Sequence, residues 1–545
     1  MSRLRSAFVA GDGALAKALR EELGARGGQS FQLTGDAAAA DVLVMVPRRG
    51  SRRLGSGEVL GVEDRALIEQ ARGWLAGSRA SAAGEAPARR LVLVSSALVH
   101  EPSHRHAGHL SEDRLARRPP ANRVSRRWRA LEAALSEGAS SRGLVILRPT
   151  FVPVVGGRDA VSRLLSGRSS LAPAGYDPPL QLLELAELAD VVTAALAGEL
   201  EDGVWHVAPA DVIPLEKAMA RAGVRRVPLP SQLLRGLYRL RGAEPDEVEA
   251  LRYPVTVSDA ARRRVMATSH PDLLPGTLER SEGELAHDPF SLDRAYVARL
   301  GRTLFRFLHD RWWRIEWQGL EHVPGSGGAV LVGNHRGHQP WDGVMVLHRL
   351  ASDLGRHPRF LIHPTLVKFP FLAPYMSGCG GLHACVENGD WVLAQQQLLA
   401  IFPEGIRGAF ARYRDVYRLR RFRPDYVRFA LRHQVPIVPF VVVGSAEIFP
   451  ILAKIEWRWW KRVSEWPTLP ITPTASLVPL PSKWHVRFLE PLDVAAEHGP
   501  EAADDPKVVD RINREVRQRM ALALADILAR RPGVFRGSVF SGGAF

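Results

Sequence analysis

Two α/β domains in tandem, the first a doubly wound parallel sheet, are the architecture this sequence predicts, and three observations predict it. Strand-like apolar runs alternate with helix-like segments from the first residues onward, which is how parallel strands with helical crossovers read. The pattern weakens between Gly242 and Leu292, where charges, prolines and glycines mix without a steady period, and then resumes. The chain has 545 residues, 46% of them hydrophobic and 24% charged; that is globular composition with material for more than one core. The expected division is a first domain at 1–270, a linker at 271–293 and a second domain at 294–545.

Element by element, Ala7–Ala10 is a short apolar run, followed by a glycine-bearing turn and the helical pattern Leu15–Leu23. Asp41–Val46, Arg90–Ser95 and Leu144–Arg148 read as further strands with helices between them. Ser78–Arg89, rich in Ala, Gly and Ser, reads as a loop. The second half opens with a helix carrying Tyr296, Leu300, Leu304, Phe307 and Leu308, then a strand at Ala329–Val332 and another at Leu398–Phe402. An amphipathic helix, Val508 to Ala529, closes it. No internal repeat is visible.

The formal charge of +15 favours an anionic partner, such as lipid headgroups, nucleic acid or an acidic carrier. Arginine supplies most of it, so an arginine-rich coding composition is the competing explanation. Two cysteines, Cys379 and Cys385, in so long a chain imply a reducing compartment and no disulfide framework, and the pair is too few for zinc. No metal is expected. Met1 leads straight into a strand-like segment without the apolar core of a signal peptide. Val435–Gly444 is the most apolar later stretch, about half the roughly 20 residues a spanning helix requires. A cytoplasmic chain, peripheral to a membrane and without a spanning helix, is the expectation.

The chemistry-bearing residues lie in the second half. Strand Ala329–Val332 runs into Gly333-Asn334-His335-Arg336-Gly337-His338-Gln339-Pro340-Trp341-Asp342-Gly343. A histidine after a strand with an aspartate in the following turn forms a base with its orienter: imidazole takes a proton from an alcohol near neutral pH, and a carboxylate fixes its tautomer. His338 with Asp342 is a rival pair, and solvated loop residues are the bland alternative. Strand Leu398–Phe402 ends in Pro403-Glu404-Gly405-Ile406-Arg407-Gly408. Arg407 in that glycine-flanked turn suits a phosphate, whose oxygens match a guanidinium fork; a surface ion pair would read the same. Trp312-Trp313-Arg314 with Trp317, and Trp457-Arg458-Trp459-Trp460-Lys461-Arg462, suit an anionic membrane surface, with core packing or base stacking as alternatives. Nucleic acid is disfavoured, because these clusters flank the blocks just described.

In this order, Asn334-His335 with Asp342-Gly343, Phe402-Pro403-Glu404-Gly405-Ile406-Arg407 and Val435-Pro436-Ile437-Val438-Pro439 resemble the ordered motifs of the phospholipid/glycerol acyltransferase family. The resemblance covers about Arg294 to Phe545, and Tyr413–Arg421, Leu469–Pro473 and Pro479–Arg487 resemble a lysophospholipid-acyltransferase subgroup. It implies a second α/β domain that moves an acyl group from acyl-CoA or an acyl carrier protein thioester to a hydroxyl of a lysophospholipid or other glycerolipid acceptor. His335 would be the base and Asp342 its orienter. Glu404 and Arg407 would hold the glycerophosphate part, Asn334 and Gly405 would also bind substrate, and Pro436 and Pro439 would line the acyl side. Neither a cofactor nor a covalent acyl-enzyme is implied. The sequence departs from the family twice: six residues rather than four separate His335 from Asp342, and Val386 stands where the second block has an arginine.

The first half carries Phe8-Val9-Ala10-Gly11-Asp12-Gly13-Ala14-Leu15-Ala16, where Gly11 and Gly13 take two places of a dinucleotide-binding turn and Ala16 the third. With Leu91–Ser96, Leu147–Phe151, Pro179–Gln181, Ala189–Val191 and Gly203–Ala208 it resembles an extended short-chain dehydrogenase/reductase of the NAD-dependent epimerase/dehydratase kind, over about Arg3 to Ala222. That resemblance implies a Rossmann-like sheet with Gly11 and Gly13 against NAD(P). The family's Tyr-x-x-x-Lys pair is missing: the region reads Asn122-Arg123-Val124-Ser125-Arg126-Arg127-Trp128. The expectation is a nucleotide fold without redox chemistry. A silent lipid- or nucleotide-binding regulator and an NAD(P)-dependent oxidoreductase are the alternatives to the acyltransferase.

Overall fold

The structure, a computed structural model, describes residues 5–26, 31–50, 58–77, 89–105, 108–115, 119–138, 143–209, 211–260, 262–263, 289–337 and 339–540. Most of the expected linker, nearly all of the loop read at Ser78–Arg89, and His338 lie outside them. Contacts divide the chain into two compact units, Met1–Ser291 and Leu292–Phe545.

In the first unit the apolar runs become strands of one sheet: β1 (Arg5–Ala10), β2 (Phe31–Leu33), β3 (Val42–Met45), β4 (Arg90–Val94), β5 (Leu144–Pro149) and β6 (Gly203–Val207). Their order is β2-β1-β3-β4-β5-β6, all parallel. Helices α1 (Ala14–Arg26), α2 (Val62–Gly77), α3 (Arg123–Gly138) and α4 (Leu185–Ala197) supply cover. One core gathers Leu19, Leu23 and Val192 from α1 and α4, and another Ile68, Trp74, Trp128 and Leu131 from α2 and α3. Two cores on one sheet are the doubly wound arrangement, with its ligand crevice where strand order reverses, between β1 and β3. The segment that reads as patternless in sequence holds buried Val248, Leu251, Tyr253, Val255 and Val257; short 3₁₀ turns with irregular spacing bury residues without a period.

The second unit is built on seven strands: β7 (Glu316–Gln318), β8 (Ala329–Gly333), β9 (Arg359–Ile362), β10 (Gly381–His383), β11 (Leu398–Ile401), β12 (Ile437–Val443) and β13 (His485–Phe488). Their order is β7-β13-β12-β8-β11-β9-β10. The last five in that order are parallel, and β13 joins β12 antiparallel. Helices α5 (Trp341–Asp353), α6 (Val386–Ala394), α7 (Gly405–Ala409), α8 (Asp425–His433) and α9 (Pro506–Arg530) complete it. Central β8 pairs with β11 through Val330–Leu399 and with β12 through Val330–Ile437. Near-continuous apolar runs mark these strands because both faces are covered. The motif loops after β8 and β11 therefore leave the same edge of one rigid sheet.

Trp313 is fully buried and stacks on Trp484 at 4.5 Å between centroids. The Trp312 indole donates to the Pro479 carbonyl at 3.0 Å, and that of Trp317 to the His309 ring at 2.7 Å. In this first tryptophan cluster, expected at a membrane, Trp313 belongs to the core, while Trp312 and Trp317 are half-buried with their indole N–H groups bonded within the fold. Among the described residues, no helix is long and apolar enough to cross a membrane.

Candidate active site

The loop leaving β8 brings His335 and Asp342 together. His335 Nδ1 lies 2.8 and 3.0 Å from the two carboxylate oxygens of Asp342. Asp342 is fully buried in the first turn of α5, where unpaired helix amides favour a carboxylate. It also accepts the backbone N–H groups of Arg336 and Gly343, at 3.1 and 2.9 Å. The longer spacing is absorbed because the chain passes Pro340 and enters α5 before Asp342, so the carboxylate turns back toward the loop. With Nδ1 engaged, Nε2 is the nitrogen left for chemistry, on a side chain that is 16% exposed.

Beside His335 lies a cavity of about 560 Å³. Pro403 and Gly405 share its wall, and its lining is otherwise mostly apolar, with Phe360, Ile362, Ile406, Phe410, Phe429 and Trp466. The Phe402 ring packs against the His335 ring, 5.0 Å between centroids. Val386 and Arg423 also reach the cavity. Cys379 and Cys385 line it too, but burial pushes both thiols up to about 12, so neither supplies the thiolate a nucleophile requires.

Several residues expected on substrate have other partners. Asn334 is fully buried, donates to the Val442 carbonyl at 2.9 Å and accepts from the Val442 N–H at 2.8 Å. It staples the β8 loop to β12. Glu404, expected against glycerophosphate, forms a buried ion pair with Arg336 at 2.7 Å and accepts the Arg420 N–H at 2.7 Å. A buried carboxylate just past a strand end has to find a cation, and the loop after neighbouring β8 provides one. Gly408 makes room: a Cβ there would lie 2.7 Å from Glu404 Cβ. Pro436 and Pro439 flank and occupy β12 beside β8, where their carbonyls accept from Val330 and Leu489; neither lines the cavity. The side chain of Arg407, like His338, falls outside the described residues. Arg336 escaped the sequence reading although it follows His335 directly. The signal was available: the Phe-Pro-Glu motif ends a buried strand, and its carboxylate lacked an assigned counter-ion.

In the first unit, Gly11 has φ +128 and a Cβ there would stand 2.3 Å from the Val46 carbonyl, so only glycine fits. Gly13 opens a cleft of about 450 Å³ at the reversal of strand order. Arg48 lies against Gly13 and bonds Asp12 at 2.6 and 2.9 Å and Glu63 at 2.7 Å. Arg49 donates to the carbonyls of Thr150 and Ser95, at 2.7 and 3.2 Å. Asn122 caps α3 by accepting from Val124 and Ser125, and Arg127 holds buried Asp64 at 2.6 Å. Among the described residues lining the cleft there is neither a tyrosine nor a lysine, so these residues do not fit the phenol–ammonium hydride chemistry of the resembled family.

Residues 314–443, which include His335, Asp342 and Glu404, match the family model described as Acyltransferase. The second unit carries an acyltransferase domain. The chain belongs to the same family as the Mycobacterium tuberculosis (strain H37Rv) protein Rv0502, to which it is 32% identical over 352 residues, 60% of this chain and 98% of that protein. It is also similar to the human "DGAT1/2-independent enzyme synthesizing storage lipids", 26% identical over 161 residues, 29% of this chain and 49% of that protein. Among solved structures, the human epimerase family protein SDR39U1 with NADPH is matched with a TM-score of 0.34 and 21% identity, over 50% of this chain and 96% of that one.

Proposed function

We propose that the chain transfers a fatty acyl group from an acyl-CoA or acyl carrier protein thioester to a hydroxyl of a lysophospholipid or glycerol phosphate, in phospholipid biosynthesis or remodelling, at the cytoplasmic face of a membrane. The observation that carries this reading is the contact between His335 and fully buried Asp342 on the wall of an apolar cavity.

Asp342 fixes the Nδ1–H tautomer, and Nε2 takes the acceptor's hydroxyl proton as the oxygen attacks the thioester carbonyl. The tetrahedral intermediate collapses, the C–S bond breaks, and the imidazolium returns the proton to the departing thiolate. The acyl chain occupies the aromatic cavity, where burial of its methylenes supplies binding. Asn334 and the Arg336–Glu404 pair position the His335 loop. Arg423, exposed at the cavity, together with Arg407, meets an acceptor phosphate. The first unit serves as a nucleotide-fold module without redox turnover, with at most weak NAD(P) binding. A neutral glycerolipid acceptor is the second reading, favoured by Val386 where the family carries an arginine.

The test is full-length protein with labelled acyl-CoA and acyl carrier protein thioesters against lysophospholipids, glycerol phosphate and diacylglycerol. Acceptor-dependent product is expected. Thioester consumption that yields only free fatty acid would sink the transferase reading.

A further inference from the structure

The connection from β12 to β13 makes an excursion with an unusual surface. Two short antiparallel strands, Ala453–Ile455 and Leu469–Ile471, are joined across the helix Arg458–Ser464. Leu452 is 63% exposed, Trp457 53%, Trp459 55% and Leu477 82%. Single exposed apolar residues are ordinary, but large ones gathered on one short excursion mark an interaction surface. The rings of Trp457 and Trp459 are 5.1 Å apart. Exposed Arg458, Lys461 and Arg462 interleave with them, offset by Glu456 at 3.5 Å from Lys461. Partial burial, with Arg420 and Arg412 adding to it and Glu456 and Asp415 opposing it, holds the Lys454 ammonium below its usual range.

The excursion is rooted in the cavity wall. Trp460 packs on Trp466 at 6.1 Å, Trp466 on Phe410 at 5.6 Å, and both Trp466 and Phe410 line the cavity. Glu465 is tied to Lys368 at 2.9 Å.

We infer that residues 452–464 are an interfacial anchor for a phospholipid bilayer with anionic headgroups, and that the anchor sets the Trp466 side of the cavity against the lipid. Charge complementarity and the indole's preference for the headgroup layer select this partner. The second clause rests on the proposed acyl transfer; the first does not.

The experiment is co-sedimentation of the full chain with neutral and with anionic vesicles at low and high salt, alongside acyl transfer and sedimentation equilibrium. The double variant Trp457→Ala/Trp459→Ala should lose about tenfold or more in binding to both vesicle types with its unfolding midpoint unchanged. Arg458→Gln/Lys461→Gln/Arg462→Gln should lose about a hundredfold on anionic vesicles at low salt and within about twofold on neutral ones. Undiminished vesicle binding by folded variants overturns the anchor, whatever the transfer activity. Dissociation of a dimer by the tryptophan variant, with no vesicle binding by wild type, also overturns it and assigns the surface to a second copy. Lost vesicle binding with no acyl transfer even in wild type supports the anchor and counts against the enzymatic reading alone.

Discussion

The two sheets present their carboxyl ends in opposite ways. At β8 the chain leaves a histidine held from behind by a buried carboxylate, in front of an apolar cavity. At β1 it leaves a glycine turn against which Arg48 lies, tied to Asp12 and Glu63, while Arg49 is spent on backbone carbonyls. Both units thus build the strand-end crevice in which α/β sheets bind ligands. Among the described residues, only the second places a histidine against a buried carboxylate at that crevice. The lesson is that a sheet topology guarantees a crevice, whereas chemistry depends on what the two or three residues after each strand contribute.

The sharpest way to break this contrast is to strip the base of its orienter. Asp342→Asn should lower the acyl-transfer rate by about 10³- to 10⁴-fold with little change in apparent acceptor affinity, because the wrong tautomer is then favoured. Steady-state kinetics on folded variant decides it, and a loss below about tenfold would detach Asp342 from the chemistry.

Next comes the ion pair behind the site. Glu404→Ala should leave Arg336 charged and buried, costing about 3–5 kcal/mol of stability in the second unit. Urea unfolding measures this. A cost under about 1 kcal/mol would mean the pair is as dispensable as a surface one.

An effect of similar total size, but spread over several pH units, is expected in the first unit. Burial, with Arg148 adding to it, pushes the His206 imidazole down to about 3, against about 6.5 in an unfolded chain. The unfolded state therefore binds the extra proton, and the stability gained by keeping His206 neutral is fully present above about pH 6.5 and drains away toward pH 3. The slope is at most about 1.4 kcal/mol per pH unit. Unfolding midpoints across that range should flatten in His206→Gln; an unchanged slope would assign acid sensitivity elsewhere.

The smallest expected effect is none: no NAD(P)H oxidation by the full chain with keto or nucleotide-sugar substrates, followed by loss of cofactor absorbance. Steady turnover would erase the contrast between the two crevices.

Much of this was legible in the amino-acid order. The apolar runs announced β1, β3, β4, β5, β8 and β11, because strands covered on both faces are written almost without polar interruption. His335 and Asp342 were legible from residue type and motif order. What was not legible were partners distant in sequence: the Val442 backbone for Asn334 and Arg336 for Glu404 depend on which strands are neighbours. The tryptophan clusters show the same limit. Trp312-Trp313-Arg314 and Trp457–Arg462 look alike on paper, yet Trp313 fills the core against Trp484 while Trp457 and Trp459 are exposed, since composition does not say which side of an indole meets the rest of the fold.

The central claim is most directly tested by measuring acyl transfer side by side for wild type, His335→Ala and His338→Ala, each shown to be folded. The account predicts product from wild type, a loss of about 10³-fold or more in His335→Ala, and a smaller loss in His338→Ala. An active His335→Ala beside an inactive His338→Ala would contradict it.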